Sequence, residues 1–227
     1  MHPRVSVLMS VYNGAPYLEL AVQSILSQTY DDFEFIIVND GSTDDTDEIL
    51  DRFSDPRIVR IYNSSNIGLT CSLNIALRQA SGEFIARQDS DDISMPEKLS
   101  MQIAFLESHS EYSLVGCASI RIDCNGKYLQ TVVPPSSDLE ICKKLFQLNP
   151  LVHGAVVARK IFIDMVGGYR EHFVTSQDYD LWMRLSEIGF LSNLPDPLYM
   201  RRMHSQSIGS RERRSQIKFS LDVVQMA

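Results

Sequence analysis

The chain has 227 residues, 44% of them hydrophobic and 22% charged, with a formal net charge of −8. That is the make-up of a soluble globular protein with one sizeable domain or two small ones, and the acidity argues against a general nucleic-acid binder. No apolar run reaches the roughly 18 residues that a membrane-spanning helix needs. Charge is uneven along the chain. Between Arg201 and Lys218, five Arg and one Lys face a single Glu, a local +5 that leaves −13 for the remainder. A basic tail on an acidic body points to an anion partner, a phosphate or a membrane surface. Cys71, Cys117, Cys124 and Cys142 form no C-x-x-C pair and read as plain thiols in a reducing compartment. Arg4 leads straight into an apolar run, without the pattern of a secretory signal.

In chain order, Val5–Val11 is a near-continuous apolar run of strand length, as expected of a strand buried on both faces. Tyr12-Asn13-Gly14 is turn chemistry. A helix then starts at Pro16, with Leu18, Ala21, Val22, Ile25 and Leu26 as its apolar stripe. Phe33–Val38 is a second strand ending in Asn39-Asp40-Gly41. The next helix runs through Ile49, Leu50 and Phe53, with Ser42 or Thr43 as its predicted cap. Ile58–Tyr62 is a third strand, and a helix follows with Leu69, Leu73, Ala76, Leu77 and Ala80 on one face. A fourth strand, Glu83–Ala86, delivers Arg87-Gln88-Asp89-Ser90-Asp91-Asp92, after which a helix is predicted from Pro96 to Glu107. Strands alternating with helices imply right-handed βαβ units and a mainly parallel sheet, with sites beyond the carboxyl ends of its strands. Ser10, Asp40 and Asp89 to Asp92 fall at such ends.

The second half is less regular. Leu114–Ile122 and Lys127–Val133 read as a hairpin around Asp123-Cys124-Asn125-Gly126. Helices are predicted over Asp138–Gln147 and Ile161–Val166, with a short strand at Ala155–Ala158 between them. An amphipathic helix spans Asp178–Ile188 with Leu181, Trp182, Leu185 and Ile188 inward. A last strand covers Pro197–Met203. A final helix is predicted from Glu212, and with no cap or breaker to end it the natural chain is expected to continue.

Three carboxylates within four residues repel one another, and a hard divalent cation, Mg²⁺ or Mn²⁺, is the natural compensation. Asp40 can accept a hydrogen bond from a base edge or a sugar hydroxyl, or it can simply hold its loop. Asp178 at a helix start either answers the helix dipole or serves as a general base. His204, after Arg201-Arg202-Met203, is a candidate metal ligand or diphosphate contact. His153, before Gly154, is a candidate for the acceptor site, and Trp182 reads as core. There is no G-x-x-x-x-G-K-[ST] loop, no G-x-G-x-x-G after the first strand and no G-x-S-x-G elbow.

Taken together, Val5 to Gly14, Val38 to Thr46, Asn66-Ile67-Gly68, Arg87 to Asp92, Gly167-Gly168-Tyr169 and Gln177 to Trp182 resemble the family 2 glycosyltransferases. The resemblance covers essentially the whole chain. It implies the α/β GT-A fold, with residues 1–110 as the donor-binding half and 111–227 as the acceptor-binding half, including a mobile C-terminal segment. It implies that Ser10, Tyr12 and Asp40 hold the uridine of a UDP-sugar and that Arg87 orders the donor. Asp89 and Asp91 match the D-x-D, with Asp89 on the ribose or sugar and Asp91 on the metal; Asp92 is then structural. Asp178 matches the catalytic base. Gln177 stands where Glu is common and Asn39 where Asp is frequent. His204 joins Asp91 at the metal, and Arg201, Arg202, Arg211 and Arg213 are candidate diphosphate contacts. His153, Gln177 and Trp182 are candidate acceptor contacts. The expected partners are a nucleotide-sugar donor and a saccharide or lipid-linked saccharide acceptor, in surface polysaccharide or glycolipid synthesis on the cytoplasmic side, with peripheral contact at the inner face of a membrane. The competing readings are a nucleotidyltransferase that makes a nucleotide sugar, for which Tyr12 to Pro16 offers no basic triphosphate loop, and a non-catalytic binding module.

Overall fold

A computed structural model describes residues 2–205. The first half is built as the apolar runs dictate. Strands β1 (Val5–Val11), β2 (Phe33–Asn39), β3 (Ile58–Tyr62) and β4 (Phe84–Arg87) lie parallel in the order β3-β2-β1-β4, with Leu8 opposite both Ile36 and Arg87. Helices α1 (Leu18–Leu26), α2 (Thr46–Asp51) and α3 (Leu69–Gln79) connect them. One core layer holds Val5, Val7 and Met9 against the α1 stripe, and the other holds Leu8, Ile36 and Val38 against Leu73, Ala76 and Leu77 of α3. A strand that feeds two cores must be apolar at nearly every position, so β1 and β2 show no alternation. Each fully buried aliphatic side chain contributes roughly 1.5–3 kcal/mol.

The second half continues the same sheet with mixed direction. A two-residue strand, β5 (Ile93–Ser94), precedes α4 (Lys98–Ser108); β6 (Tyr112–Ile122) and β7 (Tyr128–Val132) form the predicted hairpin. Then come α5 (Asp138–Leu145), a 3-10 turn at His153–Ala155, β8 (Val157–Arg159), α6 (Lys160–Met165), α7 (Gln177–Ser186) and β9 (Phe190–Arg202). β8 lies antiparallel between β4 and β6, which joins the two halves, and β9 runs parallel to β6. The full order is β3-β2-β1-β4-β8-β6-β9-β5, with β7 on β6.

Several expectations are corrected. The last strand begins at Phe190, not Pro197. The two prolines sit where the register is irregular: Cys117 faces Leu194, Ala118 faces Pro197 and Ser119 faces Tyr199. Prolines cannot donate to a ladder, so they mark this stretch as a non-strand until the bulge absorbs them. Neither Ser42 nor Thr43 caps α2. The Ser42 hydroxyl accepts the Asn13 N–H instead, and Asp44 accepts the Thr46 N–H at 3.1 Å. Ile188 lies beyond α7 and is 37% exposed rather than inward. The final helix predicted from Glu212 lies outside the described residues.

No helix among the described residues is long and apolar enough to cross a membrane.

Candidate active site

The D-x-D-D loop leaves the sheet immediately after β4 and is clamped from inside. Gln88, fully buried, donates through Nε2 to the carbonyls of Asp89 (3.0 Å) and Asp92 (2.9 Å), and the Ser94 hydroxyl donates to its Oε1 at 2.6 Å. Asp92 turns inward. Its Oδ1 accepts the Arg202 N–H at 2.6 Å, and the Tyr199 hydroxyl hydrogen-bonds the same carboxylate. Burial, then the neighbouring Asp91 and Asp89, raise Asp92 well above the ordinary carboxylate range. Asp91 turns the other way, and its Oδ2 lies 2.7 Å from His204 Nε2.

Arg87 is buried at 1% exposure and places four of its five guanidinium N–H donors. It donates to the Leu8 carbonyl, to the Gln88 carbonyl at 3.0 Å, to Asp89 Oδ1 at 2.6 Å and to His153 Nε2 at 3.2 Å. Arginine can only donate, so His153 Nε2 carries a lone pair there, and the Tyr169 hydroxyl 2.8 Å away donates to it as well. Burial and the Arg87 charge push the His153 pKa well below its ordinary value, which keeps the ring neutral. Tyr169 follows Gly167 (φ 81°) and Gly168 (φ 71°), whose left-handed backbone ends α6 and turns the chain back. Behind the platform, fully buried Lys98 donates Nζ to the Arg87 carbonyl at 2.9 Å, and burial lowers its pKa to about 8.

Gly154 is the tightest point of the site. A Cβ there would overlap the Tyr199 hydroxyl and approach Asp89 Oδ2 to 2.9 Å. Gly154→Ala is therefore expected to cost at least about 1–3 kcal/mol in urea unfolding through overpacking.

Asp178 is the second residue of α7, and its Oδ2 accepts from Asn149 Nδ2 at 2.8 Å. Burial raises its pKa to about 6, opposed by its backbone hydrogen bonds; Asp89 raises it further and Arg201 lowers it. Asp178 thus lies within electrostatic reach of the D-x-D loop. Ser176, just before α7, has φ 61°, a left-handed conformation uncommon outside glycine.

The other predicted residues divide. Ser10 is half-buried near the end of β1 and Tyr12 is exposed beyond it. Asp40 is 2% exposed and ties down the loop between β3 and α3: Oδ1 accepts from Asn63 Nδ2 (2.8 Å) and the Ile67 N–H (2.9 Å), and Oδ2 accepts the Gly68 N–H (2.9 Å). Three of its roughly four acceptor positions are filled. Arg202 is not available for diphosphate. It is 4% exposed, donates Nε to the Asp91 carbonyl at 2.9 Å, and packs over Tyr17. Trp182, at 1% exposure, belongs to the core and not to an acceptor surface; its ring meets His153 edge-on. Gln177 is 5% exposed and equally withdrawn. Arg211 and Arg213 lie outside the described residues. The sequence alone carries no signal that places Asn149, Lys98 and Tyr199 at the site, whereas Tyr169 stands within the Gly167-Gly168-Tyr169 motif.

Among the described residues, no three His, Cys, Asp or Glu side chains converge to cage a cation. Asp91 and His204 nevertheless present one carboxylate oxygen and one imidazole nitrogen to each other. That pair fits an ion of the Mn²⁺ or Mg²⁺ type that takes its remaining ligands from substrate phosphates and water.

The profile of glycosyl transferase family 2 matches residues 6–166. The putative glycosyltransferase EpsE of Bacillus subtilis (strain 168) is 37% identical over 226 residues, 97% of this chain and 79% of its own length. The crystal structure of S. aureus TarS 1–349 in complex with UDP superposes with a TM-score of 0.77 at 21% identity, over 98% of this chain and 64% of that one. The mannosyltransferase PcManGT from Pyrobaculum calidifontis, in complex with GDP-Man and Mn2+, gives 0.70 at 21% identity, over 99% and 63%. This chain spans under two thirds of either solved chain, and the likeness is one of fold, the GT-A arrangement.

Proposed function

We propose, for a chain that belongs to glycosyl transferase family 2 and is thus a glycosyltransferase, that it moves a sugar from a UDP-sugar to an acceptor hydroxyl with inversion at the anomeric carbon. The observation that carries this reading is the meeting of Asp91 and His204 at 2.7 Å. Asp91 and His204 would hold a divalent ion, which would supply neutralisation of the charge that builds on the departing diphosphate. Residues 1–110 bind the donor and residues 111–227 the acceptor. Ser10, Tyr12 and Asp40, with the loop that Asp40 ties down, wall the nucleoside. Asp89, held by Arg87, takes a ribose or sugar hydroxyl. Asp178 removes the proton from the acceptor hydroxyl as that oxygen attacks the face of the sugar opposite the leaving group. Arg201, the arginine of its strand end that is not spent on the loop, faces the diphosphate.

The UDP and GDP-Man complexes of the two structural neighbours support a nucleotide-sugar donor, and the Mn2+ of one supports the ion. The nucleotidyltransferase reading is disfavoured at the Asn13-Gly14-Ala15 turn. All three N–H groups there are taken, by Ser42, Thr46 and Asp44, so none is left for a triphosphate. The family resemblance points to a saccharide or lipid-linked saccharide acceptor, in surface polysaccharide or glycolipid synthesis at the inner face of a membrane.

A thermal-shift screen of nucleotide sugars with and without Mn²⁺ tests the reading. A donor at about 100 times its Kd stabilises by about 2.7 kcal/mol, a rise of roughly 5–10 °C for a chain of this size. UDP-sugars are expected to give that rise only with the ion. A flat response across all nucleotide sugars in Mn²⁺ would overturn it.

A further inference from the structure

We propose that Asn149 is a positioning residue that fixes the orientation of the Asp178 carboxylate, and that the short segment from Asn149 to Gly154 couples this carboxylate to the Arg87–Asp89 pair. The inference rests on the reading of Asp178 as the base. Asn149 stands in the loop after α5, well separated from α7 in sequence. Its Oδ1 accepts the Leu151 N–H at 3.0 Å, which fixes the amide's orientation and aims Nδ2, its donor end, at Asp178 Oδ2, 2.8 Å away. The carboxylate is therefore met by a donor whose own rotation is locked, the usual sign of a supported site. Four residues further on, His153 accepts from Arg87, whose other nitrogen holds Asp89. Gly154 then packs against Asp89 itself. One short segment thus touches the base at one end and the donor-side carboxylate at the other. It sets their separation directly, where the sheet alone would set it only through strands β4, β8 and β6 and helix α7.

The charged and titratable groups facing Asp178 are Asp89 from the D-x-D loop, Arg201 from β9 and Tyr169 from the loop after α6. None of these side chains is itself altered in the Asn149 variants.

The decisive variant is Asn149→Asp. It keeps the Oδ1 acceptor for the Leu151 N–H, and so the local turn, but replaces the donor facing Asp178 by an oxygen. Asn149→Ala removes both contacts. The readout is the ¹³Cγ titration of Asp178 in the intact chain without substrate, assigned by its loss in Asp178→Asn. It is paired with kcat and donor KM for release of UDP from the UDP-sugar found in the screen. Loss of a hydrogen bond to an ionised group should move the Asp178 titration upward by about one unit or more. In Asn149→Asp the two carboxyls titrate as a coupled pair, with the upper step raised. kcat is expected to fall about tenfold or more in both variants, with donor KM within about twofold of the parent. A purely structural Asn149 would leave the kcat of Asn149→Asp at the parent's value, whatever the added carboxyl does to the titration, and that result overturns the proposal. Full turnover in Asp178→Asn would remove the base and the proposal together. Full turnover in Asn149→Asp with a displaced Asp178 titration would remove the positioning role alone.

Discussion

Replacing Asp91 with alanine is expected to abolish Mn²⁺-dependent binding of UDP, by more than about 100-fold in calorimetry, while leaving the fold intact. The magnitude exceeds the 10–100-fold typical of losing a group that only orients a metal ligand, because Asp91 is assigned as the ligand itself. The fold survives because, among the described residues, the Asp91 side chain is bonded to His204 alone. The loop is carried by Gln88 and Asp92 instead. Asp92→Ala provides the contrast inside the same motif. It strips the acceptor from the buried Arg202 N–H and from the Tyr199 hydroxyl, so its first effect is about 1–3 kcal/mol of stability. If Asp91→Ala still bound UDP more tightly with Mn²⁺ than without, the metal assignment would be lost.

Asp178→Asn should leave UDP binding unchanged and lower transfer by about 10²-fold or more, the usual worth of a positioned general base. The parent's activity should rise with pH through about 6, where Asp178 ionises, and that limb should be absent from the residual rate of the variant. Stability moves the opposite way. The folded carboxyl keeps its proton to a higher pH than the unfolded one, whose pKa is ordinary at about 3.9. Between those values the native state binds more protons, so the stability of the parent falls as pH rises through that window. The amide that replaces the carboxyl carries no such charge, and its oxygen can still accept from Asn149. The variant should therefore be more stable than the parent at pH 8, with the advantage vanishing near pH 4. Equal loss of UDP binding in Asp91→Ala and Asp178→Asn would defeat the division of labour between the two residues.

Much of the first half was legible because its signals are local. Val5–Val11 and Phe33–Val38 are buried on both faces, so continuous apolar runs located them. Asp40 and Asp89 followed as residues at the ends of parallel strands. The second half resisted for physical reasons. β9 carries two prolines, and a bulge, not propensity, keeps it a strand. β5 is only two residues long and exists because it pairs with Met200 and Tyr199. The supporting contacts join distant positions: Asn149 to Asp178 across 29 residues, Arg202 to Asp92 across 110. A single sequence carries no periodicity for such pairs. Lys98 shows the same limit from another side. It is a lysine in the first turn of α4, and it is fully buried under Arg87.

The irregular pairing of β9 with β6 bears on how this chain can change length over evolution. From Cys117 to Ser119 on β6 the partner advances from Leu194 to Tyr199, an odd surplus of residues taken up by the bulge. Side chains and N–H groups alternate between opposite directions along a strand, so an odd change in residue number inverts everything after it. Insertions and deletions that an irregular, proline-marked stretch would ordinarily absorb without penalty are thus filtered by parity. A gain or loss of two residues between Leu194 and Pro197 keeps the Tyr199 hydroxyl and the Arg202 N–H aimed at the D-x-D-D loop. A change of one would turn the buried side chains of Leu198 and Tyr199 to the opposite face and present the loop with the wrong side of the strand.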